Sequence, residues 1–215
     1  MTGQPKPDLL FVTLIHQSLR VDADRLVAAT AAVQSDGAHA VPGLRAFFEE
    51  YSEQLCLHHS HEDTIFFPAL QSVLEPDQVP FEELARQHEA LDADLQAVRD
   101  GLTALSPPSG NVTTRRDVVD AVSDMAAHLG AHLAMEEETV LPLIESALPP
   151  ATYKQMEAQA RKRTPRDRAR FLIPWLVAHA APDQQRALFQ GTPPLRAIYL
   201  VNRHRYRVLD RALNC

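Results

Sequence analysis

The chain is short of cysteine, glycine and aromatic residues, and each shortage closes off a class of protein. Its two cysteines, Cys56 and Cys215, are too few for a disulfide framework, and neither belongs to a C-x-x-C pair. That usage suits a reducing compartment. Seven glycines and 6% Phe, Trp and Tyr, beside abundant Ala and Leu, favour helices over sheets. Apolar residues make up 45% of the 215 positions but never approach the roughly 20 in succession that cross a bilayer. The longest run, FLIPWLVAHAA at 171–181, is too short and contains a proline. The first residues, MTGQPKPD, show no basic segment leading into an apolar one, so no export signal is expected. These features predict a cytoplasmic protein with no membrane partner. The length allows one domain with a sizeable core, or a domain plus an appendage.

The net charge of −7 conceals a division. Residues 1–150 carry 8 Lys and Arg against 24 Asp and Glu, whereas residues 151–215 carry 13 against 4. The composition therefore changes near Pro149-Pro150, which predicts an acidic domain over 1–150 and a basic helical extension over 151–215.

Four long helical patterns fill the acidic part. The first spans about Asp8 to Gln34 and stops at SDGAHAVPG, residues 35–43; the second runs to about Leu74, before EPDQ. The third opens with Pro80 in its first turn, with Glu82 and Glu83 placed favourably for the helix dipole, and ends before SPPSG at 106–110. Thr114 with Asp117 forms a capping box for the fourth, which continues to about Leu148. Apolar residues recur with helical spacing: Phe47, Tyr51, Leu55, Ile65 and Ala69 in the second helix, and Val118, Val122, Met125, Leu129 and Val140 in the fourth.

Polar residues lie on these same stripes. HHSHEDTIFFP at 58–68 and HLAMEEETVLP at 132–142 each read His-x-x-x-Glu-acid and end on a proline. The offset between them is 74 residues. His16 falls in line with Leu9, Val12, Leu19 and Ala23, and His88 with Phe81, Leu84, Leu91 and Leu95, an offset of 72. The acidic region is thus two related halves, each a helix with one inward His followed by a helix with inward His-x-x-x-Glu.

A spacing of four places His and Glu on one face, one turn apart, so that both converge on one point. A buried carboxylate without a partner is costly, and no inward Lys or Arg compensates here. A lone inward His is usually a hydrogen-bonded core residue, and a single His-x-x-x-Glu is often a solvated pair. Two copies in matching context point instead to metal. His16, His58, Glu62, His88, His132 and Glu136 form an N/O donor set that suits iron, manganese or zinc. Two ions bridged by Glu62 and Glu136 would each keep an open position, which fits iron better than closed tetrahedral zinc.

The order His16, His58-x-x-x-Glu62, His88, His132-x-x-x-Glu136, with the trailing phrases EDTIFFP and EEETVLP, resembles the hemerythrin-like family of HHE cation-binding domains over about residues 8–148. The resemblance implies an all-α, up-down-up-down four-helix bundle enclosing a non-haem, carboxylate-bridged pair of iron ions. Oxygen-carrying hemerythrins have a second His one turn away on the third helix and end the site with His-x-x-x-x-Asp. Here Leu84 takes the former place and Glu136 stands at spacing four, as in the bacterial subgroup. The resemblance therefore implies reaction with a small ligand (peroxide, dioxygen or nitric oxide), as a peroxide-consuming or oxygen-activating oxidoreductase. The alternatives are a module that binds or senses oxygen, nitric oxide or iron, and a bundle that metal merely stabilises.

Other residues receive lesser roles. His128, one turn before His132, is read as a further ligand, a supporting donor or a boundary residue. His59 and His61 are expected on other faces, Tyr51 in the core, and Cys56 buried. Pro68 and Pro142 are expected to kink or stop their helices. Beyond 150, helices are expected over about 151–162, 166–180, 183–190 and 194–213, with starts at Thr164-Pro165-x-Asp167 and Thr192-Pro193-Pro194. They are expected to dock on the acidic bundle and cover one end. No nucleic-acid motif accompanies RKRTPRDRAR at 161–170, so no nucleic-acid partner is expected.

Overall fold

A computed structural model describes residues 6–33, 40–75, 78–105, 112–190 and 192–214, with the backbone alone at 112–114. Most of the 35–43 breaker, part of EPDQ, SPPSG and Cys215 lie outside the described residues. Thr114 lies inside the helix that begins at Val112, so it is not the cap that its spacing from Asp117 suggests. Every element among the described residues is helical. The bundle consists of α1 (Leu10–Ala32), α2 (Val41–His61), α4 (Phe81–Ala104) and α5 (Val112–Met135). Each packs on its neighbours in the order α1, α2, α4, α5 and back to α1, as short connections between antiparallel helices require.

Two interruptions have a common cause. After α2, residues Glu62–Phe66 form a π-helical turn, and α3 (Phe67–Gln71) follows; after α5, Glu136–Val140 form another, and α6 (Leu141–Ala147) follows. Pro68 and Pro142 have no N–H to donate, and their rings clash with the carbonyl four residues back. The chain answers one residue earlier by widening: Phe67 N–H bonds to Glu62 O and Leu141 N–H to Glu136 O, five residues back. The prolines therefore shift the register without stopping the rod, and each wide turn begins at the Glu of a motif. π-turns within α-helices are frequent at functional sites.

The core falls into two apolar clusters with a polar belt between them. The larger holds Leu14, Leu19, Phe47, Tyr51, Leu55, Leu91, Leu95, Leu129 and Leu133, among others. The smaller holds Ile65, Phe67, Leu70, Leu84, Val140, Ile144 and Leu148. Along each rod the motif residues occupy the boundary: His58 and Glu62 between Leu55 and Ile65, His88 between Leu84 and Leu91, His132 and Glu136 between Leu129 and Val140.

The remaining helices are α7 (Pro150–Arg163), α8 (Ala169–His179), α9 (Pro182–Phe189) and α10 (Pro193–Asp210), closed by a 3-10 turn at Arg211–Asn214. α8 starts three residues later than its sequence suggests, because Pro165–Arg168 form turns whose carbonyls accept from the next residues along. Tyr153 and Met156 of α7 join the smaller cluster. Phe171, Trp175 and Leu176 of α8 and Tyr206 of α10 join the larger. The contact is anchored at Asp22, fully buried in α1, whose carboxylate accepts from Trp175 Nε1 at 2.7 Å, His179 Nε2 at 3.0 Å and Arg25 Nη1 at 2.7 Å. Arg205 meets Glu50 at 2.7 Å and Arg168 meets Glu53, so basic and acidic segments also face each other at the surface, where such pairs contribute little.

Candidate metal centre

All six residues singled out by spacing are buried, from fully for His132 to 7% exposed for His58 and Glu62. The four rods bring them to one place. Donor atoms of His16, His58, Glu62 and Glu136 lie within 4.8 Å of one another, as do those of Glu62, His88, His132 and Glu136. The two carboxylates belong to both groups. Glu62 turns Oε1 toward His58 Nε2 at 3.2 Å and Oε2 toward His88 Nε2 at 3.7 Å. Glu136 Oε2 lies 3.5 Å from both His16 Nε2 and His132 Nε2, and 3.9 Å from His58 Nε2.

The imidazoles are aimed by groups on their outer side. His16 Nδ1 meets Glu137 Oε1 at 3.1 Å, His88 Nδ1 meets Asp63 Oδ1 at 3.0 Å, and His132 Nδ1 meets Gln87 Oε1 at 3.1 Å. Carboxylate and amide oxygens accept, so in each ring Nδ1 carries the proton and the Nε2 lone pair faces inward. Glu137 is itself fixed by Arg20, at 3.2 Å to each oxygen. The two acidic supporters are the residues that follow the motif Glu in each half, and they cross over. Asp63 of the first half serves His88 of the second, and Glu137 of the second serves His16 of the first. The opening turn of each wide segment swings its second residue toward the helix of the other half.

Burial governs the charges. Glu62 is pushed well above the ordinary carboxyl range by burial, then by the charge of Glu136. Glu136 is pushed up to about 8, chiefly by burial. His58 is held well below the ordinary imidazole range by burial and its neighbouring imidazoles, and His132 is lowered to about 3 for the same reasons. Burial lowers His88 too, against the pull of Asp63. Glu137 moves the other way, down to about 2, because His16 and then Arg20 donate to it. Neutral imidazoles present free lone pairs, and burial disfavours the charged form of both inner carboxyls, which a bound cation would offset.

Hydrogen bonding gives an independent test of fit. Nε2 of His16, His58, His88 and His132, Oε2 of Glu62 and both oxygens of Glu136 are buried with no partner in the protein. Buried polar atoms normally find one, and a cluster of inward nitrogen and carboxylate atoms left unmatched is suited to a metal. The donor chemistry, imidazole nitrogens with carboxylate oxygens, fits binding of a borderline transition-metal ion.

Several expectations are corrected. His59 is not on an outer face: it is 4% exposed, and its ring lies parallel to that of His88 with centroids 4.0 Å apart. Helical spacing assigned it elsewhere, one residue being 100° of turn from His58, but α2 is packed by α1 on one side and α4 on the other. Its counterpart at an offset of 74 is Leu133, a core residue, and that correspondence was the available signal. His128 is outside the cluster, more than half exposed and paired with Asp94 at 2.6 Å. Cys56 is exposed rather than buried, on the face of α2 toward Asp92. His61 is only partly buried, as an outer-face position predicts. Tyr51 is a core residue donating to Leu19 O at 3.0 Å. Asp63, Glu137 and Gln87 escaped sequence reasoning because their role depends on which helix they face.

A family model, the hemerythrin HHE cation-binding domain, matches residues 11–144, a span that includes all six donors. No curated protein and no solved structure matches the chain.

Proposed function

The chain belongs to the hemerythrin HHE cation-binding family, and from that premise we propose that His16, His58, Glu62, His88, His132 and Glu136 hold two iron ions at which the protein reacts with a small oxidant, peroxide or dioxygen. The observation that carries this reading is the set of inward nitrogen and carboxylate atoms, buried and unmatched, at the junction of four rods. The donor set, family and burial support it together, and the pattern of single His, His-x-x-x-Glu, repeated, is the one expected of the bacterial subgroup.

When bound, such a pair supplies Lewis acidity and reversible one-electron change. The protein's own residues do the rest. Glu62 and Glu136 each face both groups of donors, so their carboxylates would balance the charge of metal held there. Asp63, Glu137 and Gln87 fix three imidazoles in the tautomer that can ligate, and a ligand so supported is also more basic. The two apolar clusters above and below the belt keep bulk water away. No helix among the described residues is long and apolar enough to cross a membrane. Because the donors are at most 7% exposed, only a small molecule can reach them without opening the bundle.

The test is metal content per chain, then turnover. Two iron ions per chain with sustained oxygen release or oxygen consumption, lost in His132→Ala, establish an oxidoreductase. A stoichiometric spectral change on adding peroxide, dioxygen or nitric oxide, without turnover, assigns a binding or sensing role. Inert protein with tightly held zinc assigns a structural one.

A further inference from the structure

α10 carries two apolar faces, and the protein covers one of them. Leu195, Tyr199, Tyr206 and Leu209 lie on its inner side and pack against the larger core cluster. Leu200, Val201 and Val208 stand on the outer side, 51%, 79% and 55% exposed. At about 100° per residue these three, with the exposed Ala197 and His204 between them, fall within about 100° of the rod. Two other large apolar residues are exposed among the described residues, Val21 on α1 and Val73 beyond α3, and they belong to different elements. Scattered exposed side chains are ordinary, whereas a continuous strip on one helix marks a contact surface.

Charge says what the contact is with. Arg196, Arg203 and Arg207 run along one edge of the strip, within about 60° of Leu200. All three are exposed, and no carboxylate among the described residues lies within ion-pair distance of them. Asp210, the acidic residue of α10, is taken by Arg25 at 2.8 Å. The opposite edge differs, because Arg205 there is already paired with Glu50 of α2 at 2.7 Å. The surface is therefore apolar along its centre, basic along one edge and neutralised along the other.

This one-sided pattern selects among occupants. A bilayer is flat and would bury both edges alike, and the net charge of −7 opposes approach to an anionic membrane. Nucleic acid would take the arginines but has no use for Leu200 and Val201. A second copy of this face brings three more arginines to a contact that already has three. An apolar helical stripe with carboxylates on one side of it answers every feature. We propose that the outer face of α10 docks an acidic amphipathic helix of a partner protein, its apolar side chains on Leu200, Val201 and Val208 and its carboxylates on Arg196, Arg203 and Arg207. The strip from Ala197 to Val208 is about 16 Å long, three turns of helix, which suits anchors spaced three and four residues apart. The inference is independent of the metal centre.

The probe is a fluorescein-labelled 18-residue peptide with leucines three and four apart on one face and glutamates along one edge. In a control peptide lysine replaces each glutamate. Fluorescence anisotropy with the full chain is expected to show the acidic peptide binding at least about tenfold more tightly than the basic one. Leu200→Ser with Val201→Ser, and separately Arg203→Gln with Arg207→Gln, should each weaken the acidic peptide at least about tenfold. Val21→Ser with Val73→Ser, which alters apolar exposure elsewhere, should leave binding unchanged. All these side chains are exposed, and circular dichroism checks that helicity is kept. Equal binding of the two peptides, or α10 variants that bind like wild type, would overturn the proposal. So would sedimentation of the chain with phosphatidylglycerol vesicles that the Leu200→Ser, Val201→Ser chain no longer shows, which would assign the face to lipid. A wild-type dimer that the same substitutions dissociate would overturn it too, assigning the face to a second copy.

Discussion

Replacing Glu136 by glutamine tests the centre without any metal present. The amide has the shape of the carboxyl but does not titrate. In the metal-free protein the Glu136 carboxyl ionises at about 8, against an ordinary value of 4.5, because it is buried. A raised carboxyl means that between those values the folded state holds a proton which the unfolded chain has released. Wild-type stability therefore falls as pH rises through this window. Between pH 6.5 and pH 8 the loss from this one group is about 1.5 kcal/mol, at 1.36 kcal/mol per pH unit and levelling off near the folded value. The buried imidazoles pull the other way: His132, lowered to about 3, loses stability as pH falls from 6.5. That contribution is common to both chains and cancels in their difference. For a chain of this length, Glu136→Gln should thus gain about 3–6 °C in Tm relative to wild type between pH 6.5 and pH 8. Calorimetry of chelator-treated protein measures it directly. Parallel pH profiles for the two chains would refute the reasoning, since they would mean that Glu136 is solvated and needs no cation. With metal added the order reverses. An ion at a hundred times its Kd stabilises wild type by about 2.7 kcal/mol, while the glutamine chain has lost the carboxylate shared by both donor groups and gains little.

The remaining expectations follow from named contacts. Asp63→Ala and Glu137→Ala each remove the acceptor that aims one imidazole, so each should weaken one of the two ions by about 10–100-fold in chelator competition, while Glu138→Ala, exposed and unsupported, changes neither. Asp22→Ala strips the buried carboxylate from Trp175, His179 and Arg25 and should cost about 3–5 kcal/mol, read as a drop in Tm with metal content per folded chain unchanged. A methyl at Gly101 would sit 2.6 Å from Val118 Cγ2, so Gly101→Ala should destabilise by about 1–3 kcal/mol through forced separation of α4 and α5; denaturant titration checks it.

Much of this centre was legible because helical periodicity is a strict rule. A residue at i+4 shares a face with residue i whatever the surrounding sequence, so His58 with Glu62 and His132 with Glu136 had to point together. The apolar residues around them said that the direction was inward. Periodicity fails where a helix is buried on more than one side, and α2 is such a helix. Spacing alone placed His59 on an outer face, when that face belongs to α4. Cys56 shows the converse error, since a small apolar residue beside Leu55 need not share its side of the rod. The wide turns at Glu62 and Glu136 were announced by Pro68 and Pro142, but sequence does not distinguish a stop from a change of register. That depends on whether packing beyond the proline, here Leu70 and Ile144 in the smaller cluster, rewards continuing the helix.

The crossing of supports constrains how such a centre can exist at all. Each donor group contains residues of both halves, since Glu62 and Glu136 occur in each. The carboxylates that aim His16 and His88 come from the opposite half as well. A helix pair by itself therefore offers a motif whose Glu has no second group to face and whose acidic neighbour has no imidazole to hold. The repeat in the sequence is consequently not two metal modules placed side by side. It is one centre that requires both copies, with each π-turn directing one carboxylate inward and the next across. The halves are still not identical in what they supply, since Gln87 holds His132 while the residue at the matching place beside His16 is Ile15, which has nothing to donate or accept.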